Sequence, residues 1–460
     1  MSGRGTRVAA GLLGLVVIVT GAATIVARRG SPQPDLPEDP GGRTEGPPSS
    51  FQDAFSLADC IQPEDPPRVS QEPARTARRE IDRIARAVER LRELRFKHEY
   101  EVDFVPSGRL ADRAVRLSLE EYTPKMADVE ARMLQALGAI PRGTDLRRLV
   151  SNLIESQVAG FYLPERELLV VPGTRDDPLN AFDRTILAHE LEHAVADQNH
   201  DLPLDDVDPE AIDENTAALS VVEGDATLTM QQYTILAVSA LDSLAMLGDP
   251  RIAEAEASAE EVPHYLLEQL AFPYEAGLEF VCSLYARGGW DAVDRAYRRL
   301  PSTTAQVMFP DRYRDREEAV DVIRPRAPGG FTSAFEGSFG AANLQWLFEA
   351  PGDDPARTLD DAEGRAAAWA GGAIHVFTRD RESAVAMSLM QRHPSDDLCA
   401  SIAQWYDAAF TDDSTARPFG RRAFLFEGGS QIAVLSCEGD DVRLGIAGDE
   451  RIAADLAGIE

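Results

Sequence analysis

The 460-residue chain has little positive charge and almost no lysine. Lys97 and Lys125 are the two lysines among its 46 basic residues, and its formal net charge is −32. A protein that binds nucleic acid presents a basic face to the phosphates, so this composition argues against nucleic acid as a partner. The excess of carboxylates instead favours solubility and repels anionic lipid headgroups.

Cysteine is also scarce, with four residues in the whole chain. This number fits an oxidising compartment, in which cysteines pair, although a sequence does not give the connectivity. Cys399 and Cys437 both lie in the C-terminal region and are the first choice for a disulfide. The pairings of Cys60 and Cys282 stay open.

Histidine occurs seven times, and two of these residues belong to a His-Glu-x-x-His pattern at 189–193. On a helix, positions i and i+4 lie one above the other, so His189 and His193 can hold one metal ion together. Glu190 falls beside them, where a carboxylate can take a proton from a metal-bound water. The pattern therefore predicts a zinc-dependent hydrolytic site on a buried helix.

A catalytic zinc site usually has three protein ligands, so the pattern needs one more. The metzincin spacing is excluded, because Ala196 and Asn199 stand where it requires Gly and His. The other common solution is a Glu from a second helix. Glu223 is the candidate, because the run 215–230 around it is almost wholly apolar or small, and a buried carboxylate is paired or bound to metal. Two acidic residues just before this run are better explained as solvated charges: Glu210 and Glu214.

Two motifs together resemble the gluzincin-type zinc metallopeptidases, specifically a poorly characterised bacterial set with an extracytoplasmic catalytic domain. They are the His-Glu-x-x-His pattern and a Glu-Gly-Asp-Ala segment at 223–226. The resemblance spans roughly residues 80–330, and further segments carry it: 157–162, 167–172, 272–277, 288–297 and 301–306. The chain departs from the set at Phe309, where relatives often have a His before Pro310, so no role of that His is carried over.

The resemblance implies a zincin-like domain in which zinc is held by His189, His193 and Glu223. Glu190 would activate a zinc-bound water and pass its proton to the leaving amine. The expected function is zinc-dependent hydrolysis of peptide bonds in an extracytoplasmic compartment, on a protein or peptide substrate. Two alternatives stay open: an inactive zincin-fold binding or assembly protein, and a metallohydrolase that acts on cell wall or lipid. An intact Glu190 argues against the first, since a scaffold needs no general base.

Four more residues are candidates for supporting roles. Relatives usually supply a Tyr or His that donates to the tetrahedral intermediate, and Tyr274 and His264 could do so here. Asp197 lies one helical turn after His193 and could orient that imidazole, and Asp225 could do the same from the second helix.

Residues 8–27 form a long uncharged run between Arg7 and Arg28. At about 1.5 Å per residue the run spans about 30 Å, the thickness of a bilayer's hydrocarbon core. Its end lacks a clean small-x-small cleavage pattern, so an uncleaved signal anchor is favoured over a cleaved signal peptide. The expectation is a single-pass, membrane-anchored protein with its catalytic domain outside the cytoplasm, or alternatively a secreted one.

Composition and periodicity divide the chain into four parts. They predict an anchor at 1–29, a Pro/Gly-rich linker at 30–73, a domain at 74–330 and a C-terminal module at 331–460, and the resemblance implies that the 74–330 domain is zincin-like. The fold class is α+β, with a mostly helical first domain that carries an edge β-sheet and a smaller α+β module after it. No ligand cluster is predicted in the C-terminal module.

Shorter segments are assigned by periodicity and by turn residues. A strand pair at 161–171 turns at 164–166, and such an edge strand can hold a peptide substrate by main-chain hydrogen bonds. Residues 118–137 are predicted as one helix, and 216–300 as helices broken at 248–250, at Pro273 and at 288–289. The C-terminal module is predicted to contain strands at 374–377, 423–426 and 431–435 and helices at 380–391, 396–409 and 451–457.

Overall fold

The computed structural model describes residues 57–62, 66–200, 202, 208–410, 415–419, 423–428 and 431–459. The predicted anchor at 1–29 and most of the predicted linker lie outside these residues. In the described part, a helical region with a small sheet is followed by a seven-stranded sheet with its own helices. The protein is thus a mixed α+β structure.

The helical region comes first in the chain. Its helices are α1 (Leu57–Ile61), α2 (Ala77–Arg92), α3 (Ser107–Glu121), α4 (Pro124–Ala136), α5 (Leu146–Gln157), α6 (Ala181–His200), α7 (Ile212–Ala237), α8 (Ala240–Leu247), α9 (Pro250–Ala259), α10 (His264–Arg298), α11 (Thr304–Met308) and α12 (Pro310–Asp315). Its strands are β1 (Glu101–Val105), β2 (Phe161–Leu163) and β3 (Leu168–Pro172).

Helices α6 and α7 form the centre of this region and are buried along most of their length. The polar residues of these two helices are distributed around the helix and not gathered on one side, so neither helix has a polar face to turn towards water. Helix α10 packs against α7 at two glycines, Gly224 and Gly277. A Cβ on either residue would collide with the backbone of the other helix, at Gly277 and at Ser220 respectively. The glycines of segments 223–226 and 272–277 therefore allow α7 and α10 to touch backbone to backbone.

The small sheet lies beside α6 and has the strand order β1-β3-β2. Strand β1 runs parallel to β3, and β2 pairs with β3 antiparallel through a short 3-10 turn at Pro164–Arg166. The predicted strand pair at 161–171 is confirmed. Because β2 is the last strand in the order, one of its sides has no strand partner among the described residues.

Two of the predicted helix boundaries are wrong. The predicted helix at 118–137 is interrupted, because α3 ends at Glu121 and α4 begins at Pro124, where proline is favoured in the first turn. The predicted break at Pro273 does not occur, since Pro273 lies within α10. The non-helical backbone inside α10 is instead at Gly288 and Gly289, as the sequence predicted.

The second region is built on a seven-stranded sheet in the order β4-β5-β6-β10-β9-β8-β7, with all neighbours antiparallel. Its strands are β4 (Thr332–Ser338), β5 (Trp369–Arg379), β6 (Glu382–Gln391), β7 (Thr415–Pro418), β8 (Ala423–Gly428), β9 (Gln431–Glu438) and β10 (Asp441–Ala447). Its helices are α13 (Ala341–Glu349), α14 (Ala362–Ala366), α15 (Leu398–Ala409) and α16 (Glu450–Leu456), with a 3-10 turn at Pro355–Arg357. The three predicted strands and the last two predicted helices are confirmed.

The helix predicted at 380–391 is wrong, because Glu382–Gln391 forms the strand β6. Its alanine, methionine and leucine residues are good helix formers, which favoured the helical interpretation. However, β6 lies between β5 and β10 and is buried on both faces, so its sequence lacks the alternation of a half-exposed strand. A left-handed turn residue, Asp380 with φ 54°, closes the hairpin between β5 and β6.

Both pairs of cysteines form disulfides. Cys399 is bonded to Cys437 and ties α15 to β9, as predicted from their positions. Cys60 is bonded to Cys282 and ties α1 to α10, a pairing that the sequence had left open. Two disulfides are typical of proteins in an oxidising compartment.

The expectation of a membrane-anchored protein is not supported and is corrected here. No helix among the described residues is long and apolar enough to cross a membrane. The segment on which the expectation rested, 8–27, lies outside those residues.

Candidate metal centre

The His-Glu-x-x-His pattern lies in the middle of α6, where the helix is buried. At the start of this helix, Asn180 and Asp183 cap each other. The Asp183 N–H donates to the Asn180 side chain at 2.8 Å, and the Asn180 N–H donates to the Asp183 carboxylate at 3.3 Å. This pair fixes where α6 begins and so which face carries His189 and His193.

Helix α7 brings Glu223 to the two histidines. The His189 Nε2 and His193 Nε2 atoms lie 3.0 Å apart, and the Glu223 Oε2 atom lies 3.1 Å from the first and 3.4 Å from the second. All three side chains are buried. These residues are called the central cluster below, and they are the three that the sequence predicted as metal ligands.

The central cluster fits a zinc ion. Bonds of about 2.0–2.2 Å to a tetrahedral zinc ion place neighbouring ligand atoms about 3.3 Å apart. The three observed separations, 3.0, 3.1 and 3.4 Å, fall around this value. Two imidazoles and one carboxylate are also a donor set that zinc accepts in catalytic sites, with a fourth position left for water.

The electrostatics of the cluster favour an ionised Glu223. Burial alone would raise the pKa of Glu223, but the charge of His193 and hydrogen bonds from both imidazoles lower it to about 2. Burial lowers the pKa of His193, but the charge and hydrogen bond of Glu223, together with the charges of Glu190 and Glu192, raise it to about 9. The pKa of His189 is lowered, by burial first and by the charge of His193 second.

Glu190 is buried beside the central cluster and is tied to the small sheet. Its Oε2 atom accepts a hydrogen bond of 2.7 Å from the backbone N–H of Tyr162 in β2. Burial raises the pKa of Glu190 to about 8, although the charge of His193 and the Tyr162 N–H act in the opposite direction. Glu190 is not one of the three converging residues.

Tyr274 is the second predicted catalytic residue, and the structure places it next to the cluster. Its ring stacks on the His189 ring with 5.9 Å between centroids and an interplanar angle of 22°. The contact between Gly224 and Gly277 explains this position, since it brings the first half of α10 against the part of α7 that carries Glu223. His264, the other candidate donor, hydrogen-bonds Glu349 instead.

The two aspartates predicted to orient the histidines do not contact them. Asp197 accepts a hydrogen bond of 2.8 Å from the Tyr162 hydroxyl, and Asp225 accepts two from Arg92. The carboxylate that approaches the His193 Nδ1 atom is Glu192, at 3.8 Å. This separation is too long for a hydrogen bond, so no carboxylate among the described residues is bonded to the His193 Nδ1 atom.

Arg92 is the main residue near the site that sequence reasoning missed. It is fully buried, and its Nε atom lies 2.8 Å from the Asp225 Oδ1 atom and 3.8 Å from the Glu192 Oε1 atom. Its Nη2 atom donates to Asp294 at 2.6 Å, and its guanidinium lies over the Trp290 ring at 4.5 Å.

The Tyr297 hydroxyl also donates to Asp225, at 3.0 Å, so four elements of the helical region meet at this point. Arg92 joins α6, which carries both histidines, to α7, which carries Glu223. This network therefore stabilises the packing of the two helices that hold the central cluster. Helical periodicity could have found Arg92, because it lies one turn after Val88 and two turns after Ile84, on the apolar and buried face of α2.

Comparisons with protein-family models, with curated proteins and with solved structures gave no match. The resemblance to the gluzincin-type metallopeptidases therefore rests on the motifs quoted above and stays a prediction.

Proposed function

We propose that this protein is a zinc-dependent peptidase with a zincin-like catalytic domain. The observation that carries the proposal is the convergence of His189, His193 and Glu223 on one point, with Glu190 beside them and bound to an edge strand. Metal ligands, a general base and a strand that can bind a peptide are the three parts that peptide hydrolysis at zinc needs.

His189, His193 and Glu223 would hold the metal. Zinc acts as a Lewis acid that polarises the scissile carbonyl, and it lowers the pKa of a bound water towards neutrality. The protein's part is to keep the three ligand atoms at 3.0 to 3.4 Å from one another in a buried site, which α6 and α7 do by their direct packing.

Glu190 is the residue proposed to move protons. As a carboxylate it would take a proton from the attacking water and later give one to the leaving amine. The Tyr162 N–H holds one of its oxygens at 2.7 Å, which fixes the orientation of the other oxygen.

Strand β2 is the proposed binding edge for the peptide. The N–H of Tyr162 points away from β3, because it donates to Glu190 and not to the neighbouring strand. The free side of β2 therefore faces the general base. A peptide added along this side would pass Glu190 as an extra antiparallel or parallel strand, and it would bond main-chain groups of β2 other than the Tyr162 N–H, which holds Glu190.

Tyr274 is proposed to stabilise the negative charge that develops on the carbonyl oxygen. Its ring is buried against His189, so its hydroxyl belongs to the same enclosed site. A positioned hydroxyl donor is one of the groups that stabilise such an oxyanion.

The test is cleavage of a broad peptide library by full-length protein, read by mass spectrometry. We expect cleavage that a chelator abolishes and added Zn²⁺ restores. Failure of the zinc-loaded protein to cut any peptide would contradict the proposal and favour an inactive binding or assembly protein. Hydrolysis of cell-wall or lipid substrates without peptide cleavage would favour the second alternative.

A further inference from the structure

A second cluster of histidine and glutamate lies at the junction of α10 and α13. It consists of His264 and Glu268, one turn apart at the start of α10, and Glu349, the last residue of α13. One ligand atom from each side chain lies within 4.8 Å of those of the other two, and the His264 Nε2 atom is 3.1 Å from the Glu349 Oε2 atom. All three residues are half-buried. We call this group the second cluster.

Neighbouring groups hold the second cluster in place. The other carboxylate oxygen of Glu349 accepts a hydrogen bond of 2.7 Å from Gln345, one turn earlier on α13. The backbone N–H of His264 donates to the Asp353 carboxylate at 2.8 Å, which fixes the first turn of α10. The imidazole and the carboxylate that face each other are therefore both positioned before any ligand arrives.

The charge around the second cluster favours a cation. Glu268, Glu349 and Asp353 place three carboxylates around one imidazole. Glu349 also ends α13, and the carboxyl end of a helix carries a partial negative charge that attracts cations.

We propose that His264, Glu268 and Glu349 form a second binding site, for a divalent transition-metal ion, which joins α10 to α13. One imidazole and two carboxylates are a donor set that such ions accept. The 3.1 Å separation of the His264 and Glu349 atoms matches the spacing of about 3.3 Å between the ligands of a tetrahedral ion. Because the residues are half-exposed, water completes the coordination, and the ion exchanges more readily than one in the central cluster.

The proposal does not depend on the proposed peptidase activity. It concerns how many metal ions each chain binds and not what the protein hydrolyses, and the two clusters share no residue. If the central cluster bound nothing, the second cluster would still bind its own ion.

The experiment counts Zn²⁺ bound to full-length protein, by elemental analysis after equilibrium dialysis. Wild type is expected to bind about two ions per chain, and Glu349→Gln and Glu223→Gln about one each. The double variant is expected to bind none. Glu363→Gln is the matched control, because it removes an exposed carboxylate that acts electrostatically on the same region without belonging to the cluster.

A second measurement separates ligand loss from misfolding. Metal-free Glu349→Gln should have the circular dichroism and thermal midpoint of metal-free wild type. In the Glu223→Gln background, added Zn²⁺ should raise the thermal midpoint, and adding Glu349→Gln should abolish that rise. An unchanged ion count in a folded Glu349→Gln variant would overturn the proposal, as would a Zn²⁺-induced rise that persists in the double variant.

Discussion

The two clusters of histidine and glutamate differ in burial and in how the chain assembles them. The central cluster is fully buried between α6 and α7, and all three of its ligand atoms lie within 3.4 Å of one another. The residues of the second cluster are only half-buried. Exclusion of water strengthens the interactions of a charge with its neighbours, so the central cluster suits chemistry and the second suits the reversible holding of an ion.

The two clusters also differ in the residues that surround them. Behind the central cluster lies a buried network of Arg92 with Asp225 and Asp294. Around the second cluster there are single hydrogen bonds from Gln345 and from the His264 backbone. A substitution at the central cluster should therefore have larger effects than the same substitution at the second cluster.

The largest effect is expected for Glu190→Gln. Loss of a general base lowers peptide hydrolysis by about 10²- to 10⁴-fold, and more if the same group protonates the leaving amine. Because Glu190 is not one of the converging ligands, zinc content should be unchanged. Steady-state cleavage of a peptide that wild type cuts is the measurement, with the exposed Glu155→Gln as control. Wild-type turnover by Glu190→Gln would remove Glu190 from the mechanism.

Arg92→Met tests the network behind the central cluster. The variant leaves Asp225 and Glu192 buried near one another without their cation, which costs about 3–5 kcal/mol of unfolding free energy. Urea unfolding of metal-free protein measures the loss. Arg90→Met on the same helix is the control, since Arg90 is exposed and its replacement should change little. Equal stability of the two variants would show that the network does not hold α2, α6 and α7 together.

Glu223→Gln tests the third ligand. Removal of a group that only orients a ligand weakens metal binding by about 10- to 100-fold, so removal of a ligand should weaken it by at least about 100-fold. Competition with a fluorescent zinc chelator measures the affinity. Glu214→Gln is the control on the same helix, because Glu214 bonds the Ser338 hydroxyl and not the histidines. If Glu214→Gln were the variant with weakened binding, the ligand assignment would move to the start of α7.

The central cluster could be predicted because each of its residues lies in a recognisable local sequence pattern. His189 and His193 share one helix face, and the apolar run around Glu223 predicts a buried carboxylate. The glycines of segments 223–226 and 272–277 were recognised as parts of motifs, but their contact across α7 and α10 was not. Such a contact has no local signal, since each glycine alone is compatible with many conformations.

The other features depend on contacts between residues that are distant in the chain, and the spacing of residues in a sequence does not encode such contacts. His264 and Glu349 are 85 residues apart and belong to helices from different parts of the chain, so no ligand cluster was expected there. Strand β6 was assigned as a helix because burial on both faces removed the alternation that identifies a strand. The position of Arg92 on the apolar face of α2 indicated a buried arginine, but its partners come from α6, α7 and α10 and were not predictable from spacing.

The smallest effect is expected for His264→Gln in the presence of a chelator. The His264–Glu349 pair is partly exposed, with 22% and 24% of the two side chains accessible, so water already solvates both groups. An ion pair of this kind contributes at most about 1 kcal/mol to stability, in contrast to the buried pair of Arg92 and Asp225. Urea unfolding without metal should therefore place His264→Gln within about 1 kcal/mol of wild type. A loss as large as that of Arg92→Met would mean that the second cluster is itself a buried structural pair, and the contrast between the two clusters would no longer hold. If instead the variant differs from wild type only after Zn²⁺ is added, the stabilisation comes from the bound ion, because binding to the folded state alone raises stability.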